Sequence, residues 1–365
     1  MNFAIFGAQA IALGTYKALK KQYPEKNILC FLVSKIGMNS SVLDGLAVKE
    51  VDLFAAGLSP FEKENTEVLI ATPEQVMPEI EQLLDSHGLY CHKRVTSGYF
   101  AELMETYFAD NKEYVPLSTL PMGNSAPKMQ VFMVKFYRDK QLTGSYVMPE
   151  WITPIQVGAS LCEERVAKIL DCDGDNISPK NVNYCELTAL YWMWKNRLED
   201  CADDNFGMVN GDYYGLAHYR RILDLTKEDS CRLIKNKVDV VLPYPMPYEP
   251  NIEVHHERYL KAVDWNALLT ALEELQPEYA EKFPSILGQQ YLYNYNIVLA
   301  RKEVLRNYCR WLFPILERVE ELSEPKGWER ADRYIGYMGE TLCTLYFMVN
   351  KDRLKVAHVG CRFLV

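Results

Sequence analysis

The spacing of apolar residues divides this chain into two stretches with similar grammar. Over the first ~110 residues, short apolar runs alternate with amphipathic ones, the pattern that builds a parallel sheet covered by helices. Phe3-Ala-Ile-Phe6 predicts a strand, Gly7 to Gly14 a turn, Thr15 to Tyr23 a helix, and Ile28–Val33 and Val68–Ala71 two further strands. Thr72 reads as a helix N-cap, with Pro73 at the first helical position and Gln75 completing a capping box. Cys91 to Val95 gives another strand. From Asp110 to Lys128 the pattern breaks at Pro116, Pro121, Gly123 and Pro127, as in a linker. A strand at Gln130–Phe136 opens the second stretch, followed by a loop at Pro149–Gly158, a helix at Tyr184–Asn196, and strands at Tyr214–Tyr219 and Val238–Leu242. Helices around Asn266–Leu275 and Lys302–Leu322 flank a strand at Tyr291–Ala300; a helix at Asp332–Asn350 and a short strand at Arg353–Val359 end the chain. The expected organisation is a Rossmann-like domain over 1–115, a linker over 116–128 and a second α/β domain over 129–365.

A Rossmann-like first domain invites a dinucleotide. Gly7-Ala-Gln-Ala-Ile-Ala-Leu-Gly14 has the strand–turn–helix context but not the G-x-G-x-x-G spacing, and the second strand runs into Ser34-Lys35 where a ribose-binding acid is expected. This speaks against a nicotinamide oxidoreductase and for an accessory or assembly domain.

Charge narrows the partners. The formal net charge of −9 disfavours nucleic acid and anionic membrane surfaces as non-specific partners. The 10 cysteines are scattered with no C-x-x-C pair, which fits reduced thiols in a cytoplasmic protein. Met1 runs straight into the strand-like Asn2–Phe6, so no signal peptide is expected, and no apolar run reaches the ~18 residues of a membrane span. The 24 tyrosines offer apolar bodies with polar tips, useful in carbohydrate sites and equally in ordinary cores.

Two blocks carry the candidate chemistry. In Asp175–Asn196, Leu187, Leu190, Tyr191 and Trp194 recur at helical spacing as a buried face. Asn183 is the natural N-cap, with Glu186 at the reciprocal position. Asp175, Asn176, Asn181 and Asn183 are nevertheless more polar groups than one cap requires, and such a loop can hydrogen-bond a nucleoside or ribose. The second block, Gly215-Leu-Ala-His-Tyr-Arg-Arg-Ile-Leu223, drives His218, Tyr219, Arg220 and Arg221 out of an apolar strand. Guanidinium forks fit phosphate oxygens, and arginines stabilise charge growing on a diphosphate leaving group; an ion-paired structural pair is the alternative. His255-His256-Glu257 is a weak metal or acceptor option. Glu340, on an otherwise apolar helix, is a candidate base whose pKa burial would raise.

At these residues the sequence resembles the bacterial family of domain of unknown function 4422 (DUF4422), glycosyltransferases of capsular and exopolysaccharide synthesis. The resemblance runs over residues ~129–365 and rests on seven ordered matches, together more specific than any one short motif: Ile155-Gln-Val-Gly158, Asp173–Ser178, Asn183–Trp192, Gly215–Arg221, Tyr293-Asn-Tyr-Asn296, Tyr308–Leu316 and Gly339-Glu-Thr-Leu342. Asn296-Ile297 and His358-Val-Gly-Cys361 depart from the family pattern, and the N-terminal region lies outside it. The resemblance implies an α/β protein with an N-terminal Rossmann-like domain and a C-terminal GT-A-like glycosyltransferase domain. It implies a UDP-sugar as co-substrate, a saccharide or lipid-linked acceptor, and galactofuranosyl transfer as a theme among relatives. On that reading Gln156, Gly158, Asp175, Asn176, Glu186, Thr188, Tyr219, Arg220 and Arg221 bind the donor. Glu340 and His218 are catalytic, and His255, His256, Tyr293, Asn294 and Asn296 face the acceptor. GT-A enzymes commonly hold Mn or Mg on an Asp-x-Asp after a central strand; here His218-Tyr-Arg220 stands in that place, so no metal ligand is assigned, and Asp224 keeps a divalent metal open. The expected location is cytoplasmic, with peripheral association with membrane polysaccharide machinery at the inner face. The alternative from another class is a non-catalytic nucleotide-sugar binding or assembly protein of that machinery.

Overall fold

The computed structural model describes residues 1–199 and 211–364. Two large sheets and one two-stranded pair account for the described strands. The first has order β3-β4-β2-β1-β5-β6, with β1 (Asn2–Phe6), β2 (Asn27–Val33), β3 (Val42–Leu43), β4 (Leu46–Glu50), β5 (Thr66–Ile70) and β6 (His92–Arg94). All its pairings are parallel except β3–β4. Helices α1 (Ala10–Gln22), α2 (Val51–Ala56), α3 (Pro60–Glu64), α4 (Met77–Ser86) and α5 (Ser97–Phe108) connect the strands.

The second sheet runs β16-β12-β15-β10-β7-β8-β9, with β11 beside β10 and β17 beside β11. Its strands are β7 (Met129–Lys135), β8 (Ile152–Gln156), β9 (Ile169–Leu170), β10 (Tyr213–His218), β11 (Arg221–Leu223), β12 (Val240–Pro243), β15 (Val298–Arg301), β16 (Val356–Val359) and β17 (Cys361–Phe363); β13 (Met246–Pro247) and β14 (Tyr291–Leu292) form a separate pair. Strands β10, β7, β8 and β9 are mutually parallel, while β15 is antiparallel to both neighbours. β7 and β10 are buried almost end to end, as continuous apolar runs are when both faces of a parallel sheet are covered. Gly215 is required in β10, because a Cβ there would meet the Val298 carbonyl at 2.6 Å. The later helices are α6 (Asn181–Tyr184), α7 (Leu187–Met193), α8 (Lys227–Lys235), α9 (Ile252–His256), α10 (Ala262–Leu275), α11 (Pro277–Leu287), α12 (Lys302–Leu322) and α13 (Tyr334–Val349).

Several expectations are corrected by tertiary packing. α1 begins at Ala10 rather than Thr15, and takes in Gly14 because a side chain there would strike Phe100 at 2.9 Å. Thr72 is not a cap: a short 3-10 turn at Glu74–Val76 precedes α4, and the Thr72 hydroxyl is buried without a partner. The loop expected at Pro149–Gly158 contains β8, paired along β7. The strand expected over Tyr291–Ala300 is two strands separated by a turn, with left-handed Tyr295 (φ 71°) and Asn296 (φ 51°). The helix expected from Tyr184 is broken at Cys185 (φ 51°). Tyr191 is only partly buried, while Trp192 and Met193 take its place in the core.

The segment read as a linker is packed. Leu117 is fully buried and Tyr114 nearly so. Tyr114 contacts the rings of Tyr291 and His358, each with centres 5.5 Å apart, and Phe108 stacks on Tyr244 at 5.7 Å. A single apolar core runs from Phe3 and Phe31 through Phe108 to Trp192 and Leu342. The turn after β1, where a dinucleotide fold would cradle phosphates, is filled from within the chain. A Cβ on Gly7 (φ 131°) would lie 2.5 Å from the Ala71 carbonyl, and Arg258 donates to Gln9 Oε1 at 3.0 Å.

Candidate functional site

The parallel strands β7, β8 and β10 end at one edge of the second sheet, the place where open α/β sheets receive ligands. A cavity of about 490 Å³ lies there. Val134 and Phe136 at the end of β7, Val157 after β8, and His218 to Arg221 leaving β10 form its strand wall. Cys185 and Glu186 enter from the α6–α7 corner, Arg333 from the start of α13, and Gln75 from the first sheet's side. Arg220, Arg221 and Arg333 are opposed by Asp139 and Glu186, so the walls carry an excess of positive charge.

The three arginines differ in freedom. Arg220 makes one long bond, from Nη1 to Gln75 Oε1 at 3.3 Å, and its Nε is buried without a partner. A buried unmatched donor is rare in folded proteins, and this one suits an anionic oxygen. Arg221 lies between the rings of Tyr295 and Phe363, at 4.2 and 5.0 Å. Arg333 donates from Nε to Cys185 Sγ at 3.2 Å. Asp139 has its carboxyl raised above the usual range by burial, against the pull of the Phe136 N–H at 2.7 Å and the Arg220 charge.

One turn ties the acid–base groups together. The Tyr295 carbonyl accepts from His218 Nε2 at 2.6 Å, and its N–H donates to Glu340. The neighbouring Asn296 donates from Nδ2 to Glu186 Oε1 at 2.7 Å. Because a carbonyl only accepts, His218 carries its proton on Nε2 and leaves Nδ1 as the basic nitrogen. Burial lowers the His218 pKa, with the Glu186 charge opposing, so the imidazole is neutral at physiological pH. Glu186 is therefore not a reciprocal cap: it immediately precedes α7, makes no cap bond and is held across the sheet, while Asn183 sits inside α6 and donates to the Gly327 carbonyl. Glu340 is pushed up to about 8, first by burial and then by the Glu186 charge; the Tyr295 N–H, Asn294 and Arg333 pull the other way.

Other expected donor residues do not line the cavity. Gln156 is fully buried and joins the Glu164 carbonyl at 2.7 Å to the Val166 N–H at 2.9 Å. Gly158 (φ 60°) and Thr188 serve a buried carboxylate that the sequence did not single out, Asp171. It accepts from Gly158 N at 2.9 Å, Ala159 N at 3.0 Å, Ser178 Oγ at 2.6 Å and Thr188 Oγ1 at 2.7 Å. Asn176 folds onto the Cys172 and Gly174 carbonyls, and Asp175 accepts from Tyr191 at 3.3 Å. Most of the polar excess of this loop serves its own shape, but Asn181, whose Nδ2 bonds the Cys185 carbonyl at 2.7 Å, also lines the cavity. Thr188→Val removes the bond to Asp171 and the acceptor that Asn181 Nδ2 meets at 3.1 Å, so it should cost at least about 1.5–3 kcal/mol, read from urea melts.

The acceptor-side residues separate as well. His256 is buried, stacks on Trp265 and shares a 2.7 Å bond with Thr341, whereas His255 stacks on Tyr248, so the pair faces apart. Tyr293 is a core residue bonded at 2.8 Å to the buried His358. Asn294 bonds Glu340 at 3.2 Å. Asp224 pairs with Arg362 rather than facing the cavity, and among the described residues no three His, Cys, Asp or Glu side chains gather as for a metal ion. Arg333, Asp139 and Gln75 were not anticipated. Of these only Arg333 left a signal, a charged Arg330-Ala-Asp-Arg333 run ahead of an apolar helix.

Fold and site define an α/β protein with an arginine-lined crevice at the carboxyl ends of parallel strands. The chain belongs to the family DUF4422, a domain of unknown function, whose profile matches residues 140–351. Among solved structures it is similar to that of "WbbM bifunctional glycosytransferase apo structure", with 25% sequence identity and a TM-score of 0.53 over 65% of this chain and 45% of that one. The chain thus spans less than half the length of that enzyme. No curated protein matches it. The first sheet, β7, β16 and β17 lie outside the family match. Among the described residues no helix is long and apolar enough to cross a membrane.

Proposed function

We propose that the protein is a glycosyltransferase that moves a sugar, with galactofuranose a leading candidate, from a UDP-sugar to a saccharide or lipid-linked acceptor in bacterial surface polysaccharide synthesis. The carrying observation is the cavity at the ends of β7 and β10, with Arg220 presenting an unmatched buried donor beside Arg221 and Arg333. The diphosphate of the donor fits these guanidinium groups, which stabilise charge on departing UDP. The likeness to a glycosyltransferase structure supports the same reaction class. Cationic side chains on the leaving group make turnover insensitive to EDTA the expected result, and a full loss on chelation that Mn or Mg restores would replace arginine by metal in this role.

Calorimetric titration with UDP and UDP-sugars tests the reading; NAD(H) binding with no UDP response would refute it. In the same assay Arg220→Ala should weaken UDP binding about ten- to a hundredfold, the loss of one charge-assisted phosphate contact. Lysine should restore only part of this, lacking the planar fork. Parental UDP affinity in Arg220→Ala would make Arg220 structural.

A further inference from the structure

Beside Glu340 four aromatic rings gather, and one of them, Tyr337, reaches the donor cavity's Arg333, whose guanidinium lies 5.9 Å from the ring centre. Tyr248, between β13 and β14, stacks on His255 of α9 with ring centres 3.6 Å apart. His255 meets the edge of Tyr259 at 5.2 Å, and Tyr259 faces Tyr337 of α13 at 5.2 Å. Tyr259 is 49% exposed, and the other three rings are partly open to solvent. Beneath them, Asn294 Nδ2 donates to both the Tyr248 hydroxyl at 2.9 Å and the Glu340 carboxyl at 3.2 Å. Asn294 is 6% exposed, yet its carbonyl oxygen has no partner. A buried amide oxygen left unmatched calls for a hydroxyl or amide donor. Partly exposed rings above a few fixed polar groups make a wall for a ligand that is apolar on one face and hydroxylated at its edge, which describes a sugar ring.

Resting on the glycosyltransferase reading, we propose that Tyr248, His255, Tyr259 and Tyr337 form the subsite that holds the saccharide ring of the acceptor, with Asn294 and Glu340 facing its hydroxyls. The location suits transfer, because the backbone of Tyr295 bonds Glu340 through its N–H and His218, in the donor cavity, through its carbonyl. Glu340 takes the proton of the acceptor hydroxyl as that oxygen bonds to the anomeric carbon. The bond from that carbon to the diphosphate breaks, and UDP leaves with the electron pair. His255 is neutral, its pKa lowered to about 4 by burial, so the ring wall adds no charge against an uncharged sugar.

Saturation-transfer NMR on the full chain tests this, using methyl glycosides of glucose, galactose and mannose at millimolar concentration with UDP in the same samples. Saturation should reach the ring protons of at least one glycoside. Tyr259→Ala and Tyr337→Ala should each weaken that glycoside about two- to tenfold, Tyr259→Phe should retain it, and UDP signals should stay constant in the two Tyr259 variants. Unchanged glycoside binding in both alanine variants, with folding confirmed by circular dichroism, overturns the subsite. So does a parent protein that binds UDP and none of the glycosides. A parent that binds glycosides through Tyr259 but never UDP keeps the subsite and removes the donor reading instead.

Discussion

Glu340→Gln should lower sugar transfer by on the order of a hundredfold or more while leaving UDP affinity at the parental value. The substitution keeps the shape of the side chain and its hydrogen bond from Asn294 but removes its basicity. Inverting transfer needs a group to take the acceptor proton as the new bond forms, and Glu340, at about 8, is a stronger base than an exposed carboxylate. Only its ionised form can act, so parental turnover should rise with pH through about 8, and the glutamine variant should lack that rise. The same shift bears on stability. A folded-state pKa above the unfolded value gives stability present below about 4.5 and lost as pH rises through about 8. Thermal melts should therefore show the parent losing stability over that window relative to Glu340→Gln. Near-normal turnover in the variant moves the base role to His218, whose Nδ1 lone pair is the next candidate.

The strands and helices that sequence patterning located well are those whose packing is uniform along their length. The helix at Lys302–Leu322 was legible to the residue because its apolar stripe repeats over 21 positions without interruption. β7 and β10 were legible as apolar runs covered on both faces. What escaped depends on distant partners. Glu186 occupies a position in the chain that suits a cap, but Asn296, 110 residues away, holds its carboxylate. The left-handed turn at Tyr295 and Asn296 contains no glycine to announce it, although it joins His218, Glu186 and Glu340. Asp171 lies just before the polar loop and was passed over, yet it is the centre that Gly158, Ser178 and Thr188 serve. Of the expected donor residues, Glu186, Tyr219, Arg220 and Arg221 reach the cavity, and all of them leave a strand end or a helix start directly at its edge.

The largest effect is expected from removing residues 1–127. From the sequence, a piece comprising 128–365 should bind UDP if it folds; the packing argues that it does not fold alone. Deletion strips Phe108 from Tyr244, and Tyr114 from Tyr291 and His358. His358 loses the Val115 carbonyl that its N–H bonds at 2.8 Å, Phe363 loses Ser97 Oγ at 3.1 Å, and Arg220 loses Gln75. Tyr244, Tyr293 and His358 are all at most 7% exposed in the intact chain. Each large apolar side chain uncovered costs about 1.5–3 kcal/mol, and a handful of them consumes a total stability of about 5–15 kcal/mol. The fragment should aggregate, or melt without cooperativity, and show no UDP heat in calorimetry. Co-expression of 1–127 as a separate chain should restore both solubility and UDP binding, because the two pieces then rebuild the shared core. A fragment that unfolds cooperatively and binds UDP at parental affinity would show that the first sheet is an independent unit, and that Gln75 contributes nothing to holding Arg220.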